Sequence, residues 1–213
     1  MDMIISLMPQ VLDGLSKTLL VFLLTLLISI PLGVLVSLGR TSNIKILKRV
    51  TGFYILIMRG TPLLLQIIFI FFGLPAIGIS VDRLPAAITA FVLNYAAYFA
   101  EIFRGGILSI DKGQYEGAKV LGLSSKDTFF RIVLPQTIKK VLPPASNEII
   151  NLVKDTSLVY VVGLDELLKV GKAAANKYSS LVPLLIVGIV YLILIAVVTK
   201  LLSKLENKYS YYE

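Results

Sequence analysis

Residues 115–136 read YEGAKVLGLSSKDTFFRIVLPQ. This stretch is charged and holds two glycines, yet runs apolar enough to cross a bilayer flank it. Locally it encodes two short helical pieces. DKGQYEGAKVLG (111–122) is helical up to Gly122, where glycine ends the helix because it enters the left-handed region without a Cβ penalty. The second piece starts at a serine cap, places Asp127 in its first turn and stops at Pro135. Phe129, Phe130, Ile132, Val133 and Leu134 are too apolar for a free loop, so this half rests on lipid or on protein.

The flanking sequence sets the class. The chain is 56% hydrophobic and only 16% charged, with a mean hydropathy of +0.85, too apolar for an ordinary soluble domain. Residues 18–39, 53–73 and 181–202 form three apolar runs of about 20 residues, enough at ~1.5 Å per residue to span a ~30 Å hydrocarbon core. Residues 84–103 form a fourth, interrupted by Asn94 and Glu101. An all-α, multi-pass membrane protein with a single domain over 1–213 follows. The first run is too long for the apolar core of a signal peptide, and Asp2 stands where a basic start is required, so no cleaved leader is expected. Without Cys or His the chain has no disulfide, no thiolate or imidazole metal site and no Cys or His catalytic centre.

The formal charge of +8 suggests nucleic acid, but topology explains it better. Five spans, the fourth over 136–157, with the N-terminus outside and the C-terminus cytoplasmic, put most of the 21 basic residues on the cytoplasmic side. Lys17, Arg83, Lys169, Lys172 and Lys177 then lie outside, and Arg59 and Lys154 at membrane depth. The insert at about 105–135 is cytoplasmic in this arrangement. The polar fourth span, with Pro143, Pro144, Glu148, Lys154 and Asp155, is tolerable in a bilayer only where protein or water covers its polar side. The alternative is a cytoplasmic amphipathic helix and four spans. Residues 163–180 read as an outer loop with a short surface helix, and 204–213 as a solvated or interfacial tail.

At roughly 100° per residue, Asn147, Glu148, Asn151, Lys154 and Asp155 fall within an arc of about 120°. Ionisable groups there would each cost about 2.5–3.5 kcal/mol against lipid, so the face looks into a cavity or a partner helix. An internal salt bridge of Lys154 with Asp155 or Glu148 is the simpler alternative, but one lysine cannot neutralise two carboxylates. Arg59-Gly60-Thr61-Pro62 interrupts the second run. Pro62 lacks a donor and disfavours helix at Thr61, and a break there presents helix N-terminal amides suited to a carboxylate. The alternative is a proline kink with Arg59 snorkelling or paired to Glu101 or Asp155. Asn94, Tyr98 and Glu101 share one face of the third span, a pattern that packing and an i,i+3 pair with Arg104 account for.

The insert resembles a known family. Glu116-Gly117-Ala118, three residues, Gly122, nine residues and Ile132-Val133-Leu134-Pro135 follow the EAA signature of permease subunits of ATP-binding-cassette importers, with Gly117 replacing the first alanine. MRGTPLLLQ (58–66) and LVKDTSLV (152–159) are similar to the polar amino-acid branch of that family. The resemblance implies a type I importer transmembrane fold with about five spans in a prokaryotic inner or plasma membrane. It implies a coupling helix in which Glu116, Gly117, Ala118, Gly122, Phe129 and Phe130 meet a separate ATPase. The expected partners are two ATPase subunits, a second permease chain (identical or a close paralogue), an external amino-acid-binding protein and membrane lipid, with no nucleic acid. The chain itself has no G-x-x-x-x-G-K-[ST] motif, GLSKT (14–18) being a false echo. It is therefore expected to be a transport subunit and not an enzyme, to bind no cofactor, and to leave ATP and Mg to the partner.

For the substrate, Glu148, Asp155, Asn151, Arg59, Thr61 and Lys154 are the candidate binding residues. Glu148 in SNEII is similar to the Asn-Glu pair of histidine/lysine/arginine-type permeases, which favours a basic L-amino acid, arginine first. Glutamine or glutamate is the alternative within the class. An ion-coupled secondary transporter would use the intramembrane carboxylates but leave the EAA signature unexplained.

Overall fold

The computed structural model describes residues 2–209, and among these the regular elements are all helical. Helix α1 (Asp2–Thr41) is 40 residues long, starting well before the expected span at Thr18 and carrying Pro9 and Pro31 in its interior. Lipid gives no hydrophobic drive for helices to associate, so small residues that let backbones approach do that work. Thr18, Thr25, Ser29 and Ser37 of α1 are buried. At Gly33 a Cβ would lie 2.8 Å from the Phe99 Cβ and 3.1 Å from the Ala96 carbonyl oxygen. The facing helix α4 (Arg83–Leu108) answers with buried Ala86, Ala87, Ala90, Ala96, Ala97 and Ala100. It forms the centre of the bundle, touching α1, α2, α3 and α7.

The second apolar run is not one straight span. Helix α2 (Lys45–Gly60) and helix α3 (Leu63–Ile68) meet at an angle of 104°. Pro62 has no amide hydrogen to donate and holds Thr61 extended, at φ −122° and ψ 148°. Helix α3 continues through a π turn (Phe69–Gly73) and a 3-10 turn (Leu74–Ile77). Among the described residues α1, α4 and the last helix, α9 (Val182–Tyr209), are each long and apolar enough to cross a membrane, and the bent α2–α3 pair makes a fourth such segment. Helix α7 (Leu134–Asp155), which covers most of the expected polar fourth span, packs against α4 and α9 and runs on as a 3-10 turn (Thr156–Val162). Lys204–Tyr209 of the expected tail belong to α9. Residues 210–213 lie outside the described residues.

In the insert, α5 (Lys112–Val120) is capped by Asp111, whose carboxylate accepts the Gly113 amide at 2.6 Å. Gly122 sits at φ +75°. The amides of Leu123 and Gly122 return to the carbonyls of Ala118 and Lys119, the paired closure that glycine makes possible. Ser124 then caps α6 (Ser125–Asp127), accepting the Asp127 amide at 3.0 Å. The second piece does not stop at Pro135. A π turn (Thr128–Val133) leads straight into α7, with Pro135 in its first turn. The backbone stays helical through the junction, Val133 and Leu134 both lying in the αR region, so Pro135 removes one donor from a continuous helix at the end of the π turn, where the hydrogen-bond register already changes.

The outer segment also differs from expectation. Helix α8 (Leu167–Tyr178) is no surface helix: Leu167, Gly171 and Ala174 are buried, and it wedges between α1 and α9. Its cap, Glu166, is fully buried, accepting the Leu168 and Lys169 amides at 2.7 Å each and the Tyr191 hydroxyl at 2.9 Å. An acidic residue read as a surface feature is the hydrogen-bonded joint between α8 and α9.

Candidate functional site

The break in the second run builds one wall of a cavity. Where α2 ends, its carbonyls lose their intrahelical donors. Side-chain amides replace them: Asn94 Nδ2 donates to the Met58 carbonyl at 2.8 Å and to Gln66 Oε1 at 3.1 Å. Gln66 Nε2 donates to the Met58 carbonyl at 3.0 Å and to Thr61 Oγ1 at 2.8 Å. The Thr61 hydroxyl adds a bond to the Ile57 carbonyl at 2.8 Å, so these side chains together brace the sharp turn. Leu63 and Leu64, whose first-turn amides have no intrahelical acceptor, line the space beyond, a cavity of about 750 Å³.

All six candidate substrate residues line this cavity. Glu148, Asn151, Lys154 and Asp155 come from the polar face of α7, and Arg59 and Thr61 from the break. Asn94, Tyr95 and Tyr98 of α4 form the third wall. The Tyr95 hydroxyl donates to Asp155 Oδ2 at 2.7 Å, and the Arg59 guanidinium lies 5.0 Å from the centre of the Tyr98 ring. Asn147, on the same arc, does not line the cavity. Among the described residues the ion pairs are Arg104–Glu101, Arg131–Asp127 and Lys169–Asp165. Among the described residues Lys154 thus forms no direct ion pair with Glu148 or Asp155, and Arg59 none with Glu101 or Asp155. Arg104 holds Glu101 in two hydrogen bonds, at 2.9 and 2.7 Å.

The cavity thus sets two carboxylates on one side against Arg59 and a helix start on the other, a layout that complements a zwitterion with a polar or charged tail. Tyr95 and Gln66 were not foreseen. Tyr95 sits within an apolar run, and nothing local shows that it reaches Asp155, 60 positions away. Gln66 lies inside MRGTPLLLQ, and its spacing of five from Thr61 is the sign in the sequence that it can fold back on the break.

The insert presents a different surface. Glu116 and Gly117 are exposed, and nothing lies within 4 Å of a Cβ built on Gly117. Ala118 is only 2% exposed, on a helix that packs against the π turn following α6, so, contrary to expectation, its side chain is not open to a partner. Its place is taken by Val120 and Leu121, 87% and 78% exposed, with Phe130 at 57%. Phe129 is half-buried, its ring packed edge-on against Phe130 at 5.2 Å. Lys140 Nζ donates to the Ser109 carbonyl at 2.6 Å and Gln136 Nε2 to Gln114 Oε1 at 3.1 Å, tying the insert to α7.

Among the described residues no cluster of acidic side chains fits a metal ion. Residues 14–210 match the family model of the binding-protein-dependent transport system inner membrane component. The chain is 38% identical over 202 residues to the arginine transport system permease protein ArtQ of Bacillus subtilis (strain 168), covering 94% of this chain and 92% of that one. It is 36% identical over 203 residues to the glutamine transport system permease protein GlnP of Escherichia coli (strain K12), covering 94% and 93%. A solved amino acid ABC transporter with histidines superposes with a TM-score of 0.90 at 33% identity, covering 96% of each chain. With its fold, its EAA segment and a match over nearly its whole length, this chain belongs to the family of binding-protein-dependent transport system inner membrane components, the permease subunits of ABC transporters.

Proposed function

We propose that the chain is the membrane-spanning subunit of an amino-acid importer and that the central cavity binds a basic L-amino acid, arginine first. The observation that carries this reading is the meeting of Glu148 and Asp155 with Arg59 and the start of α3 in one cavity. The α-carboxylate takes the Arg59 and Leu63/Leu64 side, with Thr61 beside it. The cationic side chain takes Glu148 and Asp155, with Asn151 as a neutral partner and Lys154 at the rim. Tyr95 engages one oxygen of Asp155, leaving Glu148 as the more open acceptor. Two ATPase subunits, carrying ATP and Mg, dock on the insert through Glu116, Gly117, Val120, Leu121 and Phe130. A second permease chain and an external binding protein complete the assembly, with the insert on the cytoplasmic side.

The test is Glu148→Gln in the purified permease–ATPase complex. A hydrogen bond to a charged group contributes about 1.5–3 kcal/mol, so arginine and lysine binding should weaken roughly tenfold to a hundredfold. Glutamine binding should change by about fivefold or less. Equal losses for arginine and glutamine would remove the charge argument and favour glutamine, the substrate named for one relative.

A further inference from the structure

A second cavity adjoins the first. It has a volume of about 450 Å³ and is lined by Arg40, Gly52, Ile55, Leu56, Arg59, Gly60, Tyr98 and Glu101. Arg59, Gly60 and Tyr98 line both cavities. The register along the helices shows how they are stacked. On α2 the central cavity takes positions 59 and 60 and the second takes 52, 55 and 56 as well. On α4 the central cavity takes 94, 95 and 98, and the second takes 98 and 101. Each helix steps by about one turn, ~5 Å, toward the end of the bundle that carries the insert. At the shared wall nothing lies within 4 Å of a Cβ built on Gly60, so the boundary there is open and the Arg59–Tyr98 stack forms its remaining side.

The two cavities differ in charge. The central one sets Glu148 and Asp155 against Arg59 and Lys154. In the second, Arg40 and Arg59 face Glu101, whose carboxylate is already gripped at both oxygens by Arg104. Among the described residues neither Arg40 nor Arg59 forms a direct ion pair with a carboxylate. Gly52 leaves room for the Arg40 guanidinium, which lies 3.5 Å from where a Cβ would be. An α-carboxylate is therefore attracted to this second space, and a cationic side chain finds no open acceptor in it.

We propose that the second cavity is a release site, in which Arg40 takes over from Arg59 the α-carboxylate of the departing amino acid. This rests on the reading that an amino acid occupies the central cavity, but not on which one, since every amino acid carries that carboxylate. Moving one turn strips a basic substrate of Glu148 and Asp155 while keeping its carboxylate held, so the step toward the insert end lowers affinity without losing guidance.

The experiment uses the permease assembled with its ATPase and binding protein in proteoliposomes, with whichever of arginine, lysine or glutamine binds best. Arg40→Gln should leave equilibrium binding to the permease–ATPase complex within twofold and basal ATP hydrolysis unchanged. ATP-driven uptake should slow at least fivefold, and Arg40→Lys should restore half or more of it. Unaltered uptake in Arg40→Gln overturns the proposal. So does a fall in basal ATP hydrolysis matching the fall in uptake, which makes Arg40 an anchor of α1 instead. Failure of the central-cavity reading shows separately, in the binding of the Glu148→Gln variant.

Discussion

The α5 insert and the α7 face are both charged interruptions of an apolar chain, and they are built in opposite ways. Every contact that shapes the insert's turn spans a few residues: Asp111 to Gly113, Gly122 to Lys119, Ser124 to Asp127. The cavity is assembled from positions 28 to 60 apart, through Asn94 to Gln66 and Met58 and Tyr95 to Asp155. One leaves apolar side chains exposed, and the other draws ionisable groups into a shared cavity. A local turn can present a surface, whereas a pocket inside a membrane needs a bundle already packed around it.

That difference can be broken at its root. Gly33 lies at the α1–α4 contact on which the bundle depends, with Phe99 Cβ and the Ala96 carbonyl in the way of any side chain. Gly33→Val should destabilise the protein by about 3 kcal/mol or more, removing ligand binding and monodisperse yield together. Circular dichroism and gel filtration of the detergent-purified chain would check it. A well-folded variant would show that α1 is free to shift.

A sharper separation comes from the insert alone. Val120→Asp with Leu121→Asp should reduce co-purification of the ATPase at least tenfold while amino-acid binding stays within twofold. Glu148→Gln should do the reverse. If the double variant retained its ATPase, docking would fall to Glu116 and Phe130.

The smallest effect is expected at the break. Asn94→Ala leaves the Met58 carbonyl to Gln66 alone, a loss of about 1–3 kcal/mol. Substrate affinity should fall two- to fivefold and the apparent Tm by about 3–8 °C, measured by isothermal titration and differential scanning fluorimetry. An unchanged affinity would mean that Gln66 is sufficient to hold the turn.

What could be read in the chain follows the same division. The Gly122 and Ser124 signals act within one turn, so the insert's course up to residue 127 was legible. Pro135 misled because a proline need not stop a helix where the hydrogen-bond register already changes, here at the end of the π turn. The arc of Glu148, Asn151, Lys154 and Asp155 was legible because helical periodicity alone places these residues together. Their company was not: Tyr95 on α4 and Gln66 beyond the break reach them only after folding. Burial of Ala118 and Glu166 was equally hidden, since small and acidic residues look alike in sequence whether they face solvent or a neighbouring helix.

The 104° turn at Thr61–Pro62 also bears on how the chain is made. As α2 and α3 leave the ribosome, the Met58 carbonyl has Gln66 eight residues on, but Asn94 is 36 residues away. Asn94 thus follows Gln66 by 28 residues, and at about 5–20 residues per second of synthesis the second donor arrives roughly 1.5–6 s after the first. For that interval the half-finished turn has one amide where the folded protein has two. The turn between α2 and α3 therefore gains its full set of donors only once α4 has been made.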